Sequence, residues 1–186
     1  MKRWTTLRRE PVADCRVFNV ERVWTRSAKD GAEHDFYRIV SVDWVQVVPV
    51  TAAGEVVMIR QYRPGADAVT LEIPGGLIDA GESAAEAAAR ELLEETGYRA
   101  SRLRALGALN PNPALFGNRL HAFVAEEAEH VAEIRNDPRE HTVVELVPRD
   151  RLPELLRAGA VDHALVVATL WRYLHDCAAG GSPVVR

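Results

Sequence analysis

Gly75-Gly76-Leu77-Ile78-Asp79-Ala80-Gly81-Glu82-Ser83-Ala84-Ala85-Glu86-Ala87-Ala88-Ala89-Arg90-Glu91-Leu92-Leu93-Glu94-Glu95-Thr96-Gly97-Tyr98 is the stretch on which the fold turns. Its second half is written for a helix. Ala84 to Thr96 are mostly good helix formers with no proline, and Gly97 stands where a left-handed C-terminal cap is wanted. Ser83 and Glu86 have the spacing of a capping box. The spacing predicts a helix over about residues 83–96. On a 3.6-residue repeat Glu91, Glu94 and Glu95 share one face, while Ala85, Ala88 and Leu92 line another that packs.

Three carboxylates on one helical face repel one another, more strongly where water is partly excluded. A positive partner is therefore expected among them. Hard divalent cations such as Mg²⁺ and Mn²⁺ take carboxylate and carbonyl oxygens, keep waters, and are commonly completed by substrate phosphates. A solvated acidic face is the plainer reading of any acidic triplet. It is disfavoured because Gly76, Glu82, Arg90, Glu91, Glu94, Glu95 and Gly97 all fall at fixed offsets, a pattern far longer than a short motif.

That pattern resembles the signature of the Nudix hydrolase family: glycine-x5-glutamate-x7-arginine-glutamate-apolar-x-glutamate-glutamate-x-glycine-apolar. Every position is present from Gly76 to Tyr98. The resemblance implies an α/β/α sandwich with a mixed central sheet, and metal-dependent hydrolysis of a nucleoside diphosphate linked to another group. It implies Glu91 and Glu95 as principal ligands of Mg²⁺, with Mn²⁺ a possible substitute. Glu82, Glu94 and the Gly75 carbonyl would support them. Arg90, one residue before Glu91 and pointing elsewhere on the helix, would orient the signature carboxylates.

Outside the signature, Arg60-Gln61-Tyr62-Arg63-Pro64, Thr70-Leu71-Glu72-Ile73-Pro74 and Pro113, sixteen residues beyond Gly97, look like the ADP-ribose and nucleoside-diphosphate-sugar pyrophosphatase branch. Asn110 to Ala114 and Asn118 to His121 resemble a subgroup acting on nucleotide sugars more broadly. The implied products are a nucleoside monophosphate and a sugar phosphate. Another nucleotide substrate, such as NADH, a dinucleoside polyphosphate or a nucleoside triphosphate, is the alternative within catalysis. A non-catalytic nucleotide sensor is disfavoured by the four retained signature glutamates. Arg63, Glu72 and Pro113 are expected substrate contacts, although Arg63 and Glu72 read equally as a structural ion pair. A general base must come within hydrogen-bond reach of the attacking water. The resemblance implies a base on a loop after the signature; here the loop 126–141 offers Glu133, Asp137 and Glu140, and Glu140 is favoured because it precedes the Val143-Val144 strand. His121 and His163 read as packed or surface residues, since hard cations prefer oxygen. Phe18, Trp24 and Trp44 read as packing residues before nucleobase platforms.

A length of 186 residues suits one domain, or a core domain with an N-terminal extension. A net charge of −4 and the lack of a basic cluster interleaved with aromatics argue against a nucleic-acid surface. Cys15 and Cys177 match no metal or redox spacing. The basic start, Met1 to Thr5, is followed by no apolar run, and no stretch approaches membrane-spanning length, so a soluble cytoplasmic protein is expected.

Strands are predicted at 16–25 and 35–42 as an N-terminal hairpin, then at 44–51, 55–62, 70–73, 103–109, 120–125 and 143–147, with helices at 150–158 and 162–177. Asp162 is the expected N-cap of the last helix, with Ala164, Val167, Ala168, Trp171 and Leu174 as its packing stripe. The expected organisation is an N-terminal antiparallel β extension over 1–42, a catalytic domain over 43–178 and a flexible tail over 179–186. The extension is too small to bury its own core. It is therefore expected to pack on another surface, which the resemblance implies is a second subunit of a homodimer.

Overall fold

The computed structural model describes residues 1–178, so the expected tail lies outside the described residues. The chain forms two compact units: Met1–Asp43 with Asn110–Arg119, and the residues from Trp44 to Leu109 and from Leu120 onward.

In the first unit β1 (Thr5–Asp14), β2 (Asn19–Arg26) and β3 (Glu33–Val40) form an antiparallel sheet in that order. The hairpin expected around Gly31 is β2–β3; Gly31, at φ 75°, takes the left-handed conformation its turn needs. Strand β1 is absent from the sequence prediction. Arg8, Arg9 and Glu10 interrupt its apolar alternation, and all ten of its residues are exposed. What holds it is cross-strand contact: the Arg8 and Arg22 guanidinium groups sit 3.8 and 4.5 Å from the Trp24 ring centroid. Trp24 thus packs within the sheet. The segment Asn110–Arg119 adds to this unit through Ile39 N–H to the Leu115 carbonyl (2.8 Å), Gly117 N–H to the Ile39 carbonyl (3.0 Å) and Arg119 N–H to Asp43 Oδ1 (2.8 Å).

The second unit is built on a mixed sheet of β4 (Trp44–Val50), β5 (Glu55–Arg63), β6 (Ala68–Glu72), β7 (Gly75–Leu77), β9 (Arg102–Leu109), β10 (Leu120–Glu126) and β12 (Thr142–Pro148). Its main path runs β12-β5-β4-β10-β9, with β6 added to β5 and β7 to β4. Among the described residues of this sheet only β4 and β10 pair in parallel. A two-stranded ribbon joins β8 (Tyr98–Arg99) to β11 (Glu129–His130).

Because side chains alternate across a strand, β4 and β10 feed two cores. Val45, Val47, Phe123 and Ala125 pack against Ala87, Ala88 and Leu92 of α1 (Ala84–Thr96). Val48, Ala122 and Val124 turn to the opposite face and meet Leu152 of α2 (Leu152–Arg157), with Val166, Leu170 and Tyr173 of α3 (Ala164–Ala178). Helices on both faces of a mixed sheet make the expected α/β/α sandwich.

Three local expectations are corrected. The most deeply buried residues of α3 are Val166, Thr169, Leu170 and Tyr173; of the expected stripe Val167 and Leu174 do pack against the core, whereas Ala164 and Trp171 are exposed. His163 rather than Asp162 holds the N-cap position, its carbonyl accepting from Val167 N–H at 2.9 Å. On α1 the exposed Ala85 is replaced by Ala87 in the packing face. Among the described residues no helix is long and apolar enough to cross a membrane.

Candidate active site

The N-terminus of α1 is closed by the predicted capping box: Glu86 N–H donates to Ser83 Oγ (3.3 Å) and Ser83 N–H to Glu86 Oε2 (2.8 Å). Gly97 ends it in the left-handed conformation at φ 73°. This frame sets the direction of the three acids, and two of them, Glu91 and Glu95, do not face bulk water. Glu91 and Glu95 are buried and Glu94 is half-buried.

Their neighbour is the glycine strand. Gly75 and Gly76 pair in β7 with Gln46 and Val45 of β4, and Gly75 N–H donates to Glu95 Oε2 at 2.8 Å. A Cβ on Gly76 would run into the Glu91 carboxylate, and one on Gly75 into the Val45 carbonyl. The two glycines are thus demanded by close approach rather than by a turn alone.

Arg90 sits within the acid cluster. Its Nε and Nη2 donate to Glu82 Oε1 and Oε2 (both 3.0 Å), and its Nη1 to Glu91 Oε1 (2.8 Å) and Glu94 Oε2 (3.2 Å). Nη2 also reaches the Leu77 carbonyl at 3.0 Å. One guanidinium therefore ties the signature loop to its helix, and the expectation that it points elsewhere is corrected. The Arg90 pairing holds the Glu82 carboxyl below its usual range.

Glu91 and Glu95 behave oppositely. Burial pushes both carboxyls up. Each is also raised by the Glu140 charge, Glu91 further by that of Glu94 and Glu95 by that of Glu91. Glu95 reaches about 8 despite the Gly75 hydrogen bond. Among the described residues no three His, Cys, Asp or Glu side chains form a ready-made metal cluster, and Arg90 holds oxygens of Glu82, Glu91 and Glu94. The donor chemistry nevertheless fits a hard divalent cation: buried carboxylates raised by one another are short of positive charge, and every donor is oxygen.

The loop after β11 is tied to the C-terminal carbonyls of α1. Val131 and Ala132 N–H donate to the Gly97 carbonyl (2.9 and 3.1 Å), Arg135 N–H to that of Glu94 (2.8 Å), and Thr142 Oγ1 to that of Glu95 (2.6 Å). Asn136 Nδ2 braces Thr142 Oγ1 at 3.0 Å. These bonds satisfy carbonyls that a helix end leaves open. Of the three loop acids, Glu140 is the one counted among the main charges felt at both Glu91 and Glu95. Asp137 is taken up locally, accepting from Arg139 N–H and Nε at 3.0 and 3.1 Å.

Beside the glycine strand lies a cavity of about 300 Å³, with Trp44, Leu120 and Leu165 on its apolar side and Gln46, Arg63, Glu72 and His163 as its polar groups. Arg63 and Glu72 form a bidentate pair, Nε to Oε1 and Nη2 to Oε2, both 2.8 Å. Thr70 Oγ1 adds a bond to Oε1 (2.6 Å), and His163 Nδ1 meets Oε2 at 3.0 Å. Burial alone would raise Glu72, which is 1% exposed; these partners together hold it well below the usual carboxylate range. Of the two readings of Arg63 and Glu72, the ion pair is present, and it stands in the cavity wall. The sequence reads His163 as a packed or surface residue, since hard cations prefer oxygen; the structure places it in the cavity wall against Glu72. Pro113 belongs to the first unit, on Asn110–Arg119.

Comparison with known proteins adds the family. Residues 41–170 match the family described as NUDIX domain. An ADP-ribose pyrophosphatase of Bacillus subtilis is 37% identical over 91 residues, 49% of either chain, so the match spans about half that relative's length. An ADP-sugar pyrophosphatase of Mus musculus is 30% identical over 174 residues, 88% of this chain and 75% of that one. A solved structure described as an ADP compounds hydrolase superposes with a TM-score of 0.86 over 97% of each chain, at 28% identity. With the signature intact on its capped helix and the match covering most of its length, the chain belongs to the NUDIX family.

Proposed function

We propose that this Nudix hydrolase cleaves the diphosphate bond of ADP-ribose or a related nucleoside diphosphate sugar, releasing a nucleoside monophosphate and a sugar phosphate. The observation that carries this is the buried Glu91–Glu95 pair set against a strand of two glycines, with a cavity opening beside it. The names of the relatives above supply the substrate class.

Nudix hydrolases generally use divalent metal ions. Here the ion is proposed to be Mg²⁺, with Mn²⁺ as a substitute, held by Glu91 and Glu95 with support from Glu82, Glu94 and the Gly75 carbonyl. When bound, such an ion neutralises diphosphate charge and lowers the pKa of a coordinated water. Arg90 keeps Glu82, Glu91 and Glu94 aimed by its four charged hydrogen bonds. Glu140 is proposed to take the proton of the attacking water. Arg63, braced on Glu72, would meet the second phosphate or the ribose, and Pro113 remains a proposed substrate contact on resemblance alone.

The test is to incubate the protein with ADP-ribose, ADP-glucose and GDP-mannose in Mg²⁺ and identify products. AMP with ribose 5-phosphate is expected from the first; no release from any of the three sinks the reading. Glu95→Gln is expected to lower kcat/KM at least about 100-fold, beyond what loss of an outer-shell partner costs.

A homodimer is proposed through residues 1–42, supported by the exposure of Leu7, Val12, Phe36 and Tyr37 in the described chain. Light scattering at a single-chain mass across a hundredfold dilution contradicts it. The free, exposed Cys15 and Cys177 suit a reducing, cytoplasmic setting.

A further inference from the structure

The Arg63–Glu72 pair has a third member. Glu72 spends Oε1 on Arg63 and Thr70, and Oε2 on Arg63 and the Nδ1 atom of His163. Since an ionised carboxylate only accepts, His163 must donate from Nδ1, and the remaining ring nitrogen is Nε2. Among the described residues, the bond to Glu72 is the hydrogen bond that the His163 ring makes, while the His163 carbonyl accepts from Val167 N–H. The residue lines the cavity, with its side chain 36% exposed. It sits at the N-terminus of α3, so its backbone is fixed by the helix and its ring by a buried acid.

Gln46 is held the same way. It is buried, and Thr169 Oγ1 donates to its Oε1 at 2.9 Å, which turns its amide nitrogen away from α3. Gln46 and His163 thus line the same cavity, each fixed from behind by one hydrogen bond, and the indole of Trp44 and the side chains of Leu120 and Leu165 complete the wall. With Arg63 and Glu72 paired to each other, Gln46 and His163 are the further polar groups on a mostly apolar wall, which suits a small ring that has both a hydrophobic face and hydroxyls. Gly75 and Gly76 also line the cavity, so its contents are continuous with whatever the acid cluster holds.

We infer that His163, clamped by Glu72, is a substrate-binding residue whose Nε2 bonds a ribose hydroxyl. The inference rests on the proposed nucleotide-sugar substrate. Adenosine ribose and the distal ribose share this chemistry, and fragments distinguish them.

The decisive variant is His163→Asn, whose amide nitrogen stands where Nδ1 stood, keeping the donor to Glu72 while removing Nε2. Calorimetric binding of the methylene-bridged, uncleavable analogue of ADP-ribose is expected to weaken about 3- to 10-fold, the value of one hydrogen bond, with an unchanged Tm. A parallel loss on AMP but not on ribose 5-phosphate assigns the nucleoside side; the reverse assigns the distal sugar. His163→Ala is expected to weaken binding and to lower Tm as well, since Glu72 then loses a partner. Analogue binding within twofold of native in His163→Asn overturns the inference, and so does loss in His163→Ala alone, which would mark a purely structural histidine. Cleavage of ADP-ribose by the native protein is scored separately. Cleavage with unchanged His163→Asn binding removes this inference and leaves the proposed function standing. Failure to cleave removes the function, while the binding comparison still decides the role of His163.

Discussion

Glu95 and Glu72 are both buried carboxyls, displaced in opposite directions by their surroundings. Glu72 has an arginine fork, a hydroxyl and an imidazole; Glu95 has one backbone N–H and two neighbouring charges of its own sign. The consequences for stability differ in sign. Glu95, raised to about 8 in the fold against about 4.3 unfolded, holds its proton more tightly when folded. The metal-free fold therefore loses stability as pH rises between those values. Glu95→Gln keeps an acceptor for Gly75 N–H but cannot ionise. Without metal it is expected to melt about 2–4 °C above the native protein at pH 8.5 and level with it at pH 5, measured calorimetrically. Magnesium should raise Tm for the native chain alone. Glu72, lowered in the fold, contributes stability that is present above about pH 4.3 and lost as pH falls below it. Arg63→Met is expected to cost about 2–3 kcal/mol in urea unfolding at pH 7, less than for a wholly buried pair because Arg63 is partly exposed. A urea midpoint unchanged at pH 7 would contradict it.

At the scale of elements, α1 is a rigid rod held at both ends by different means. The Ser83–Glu86 box closes its start, and the loop between β11 and β12 closes its end. Ser83→Ala is expected to cost about 1 kcal/mol with little change in kcat. Thr142→Val leaves the Glu95 carbonyl without its donor and frees one end of the segment bearing Glu140. If Glu140 is the base, kcat falls roughly tenfold in that variant while KM holds, and Thr142→Ser restores it. Steady-state kinetics on ADP-ribose check both. The helix was legible to within one residue because cap, propensity and stop signal agree locally along the chain. Thr142 was not legible: its partner lies 47 residues away in sequence, and its sequence neighbours carry no motif. The α3 stripe slipped for a related reason. Apolar residues occur all round that helix, so periodicity alone found Val167 and Leu174 but not the more deeply buried Val166 and Leu170, which packing on the sheet selects. Strand β1 escaped because its pairing rests on arginine, glutamate and tryptophan cross-strand contacts rather than on alternation.

Over the whole molecule, six of the seven strands of the central sheet were foreseen; the short β7 at Gly75–Leu77 was not, because two glycines carry no strand pattern, and neither was the placement of Asn110–Arg119 with the N-terminal unit. Four of that segment's backbone or side-chain partners, Ile39 twice, Val42 and Asp43, are supplied by residues before Trp44. Deleting Met1–Asp43 should leave those groups unsatisfied. Limited proteolysis of the truncated chain is expected to cut first between residues 110 and 119; an uncut segment there, under conditions that nick other loops, would contradict the prediction.

The ten residues lent by the span between β9 and β10 also bear on ancestry. A leading portion exchanged by simple gene fusion would arrive without the segment it clasps, so replacements must evolve at two separate places in the gene together. The front of such a protein is therefore expected to diversify by gradual substitution rather than by wholesale swapping.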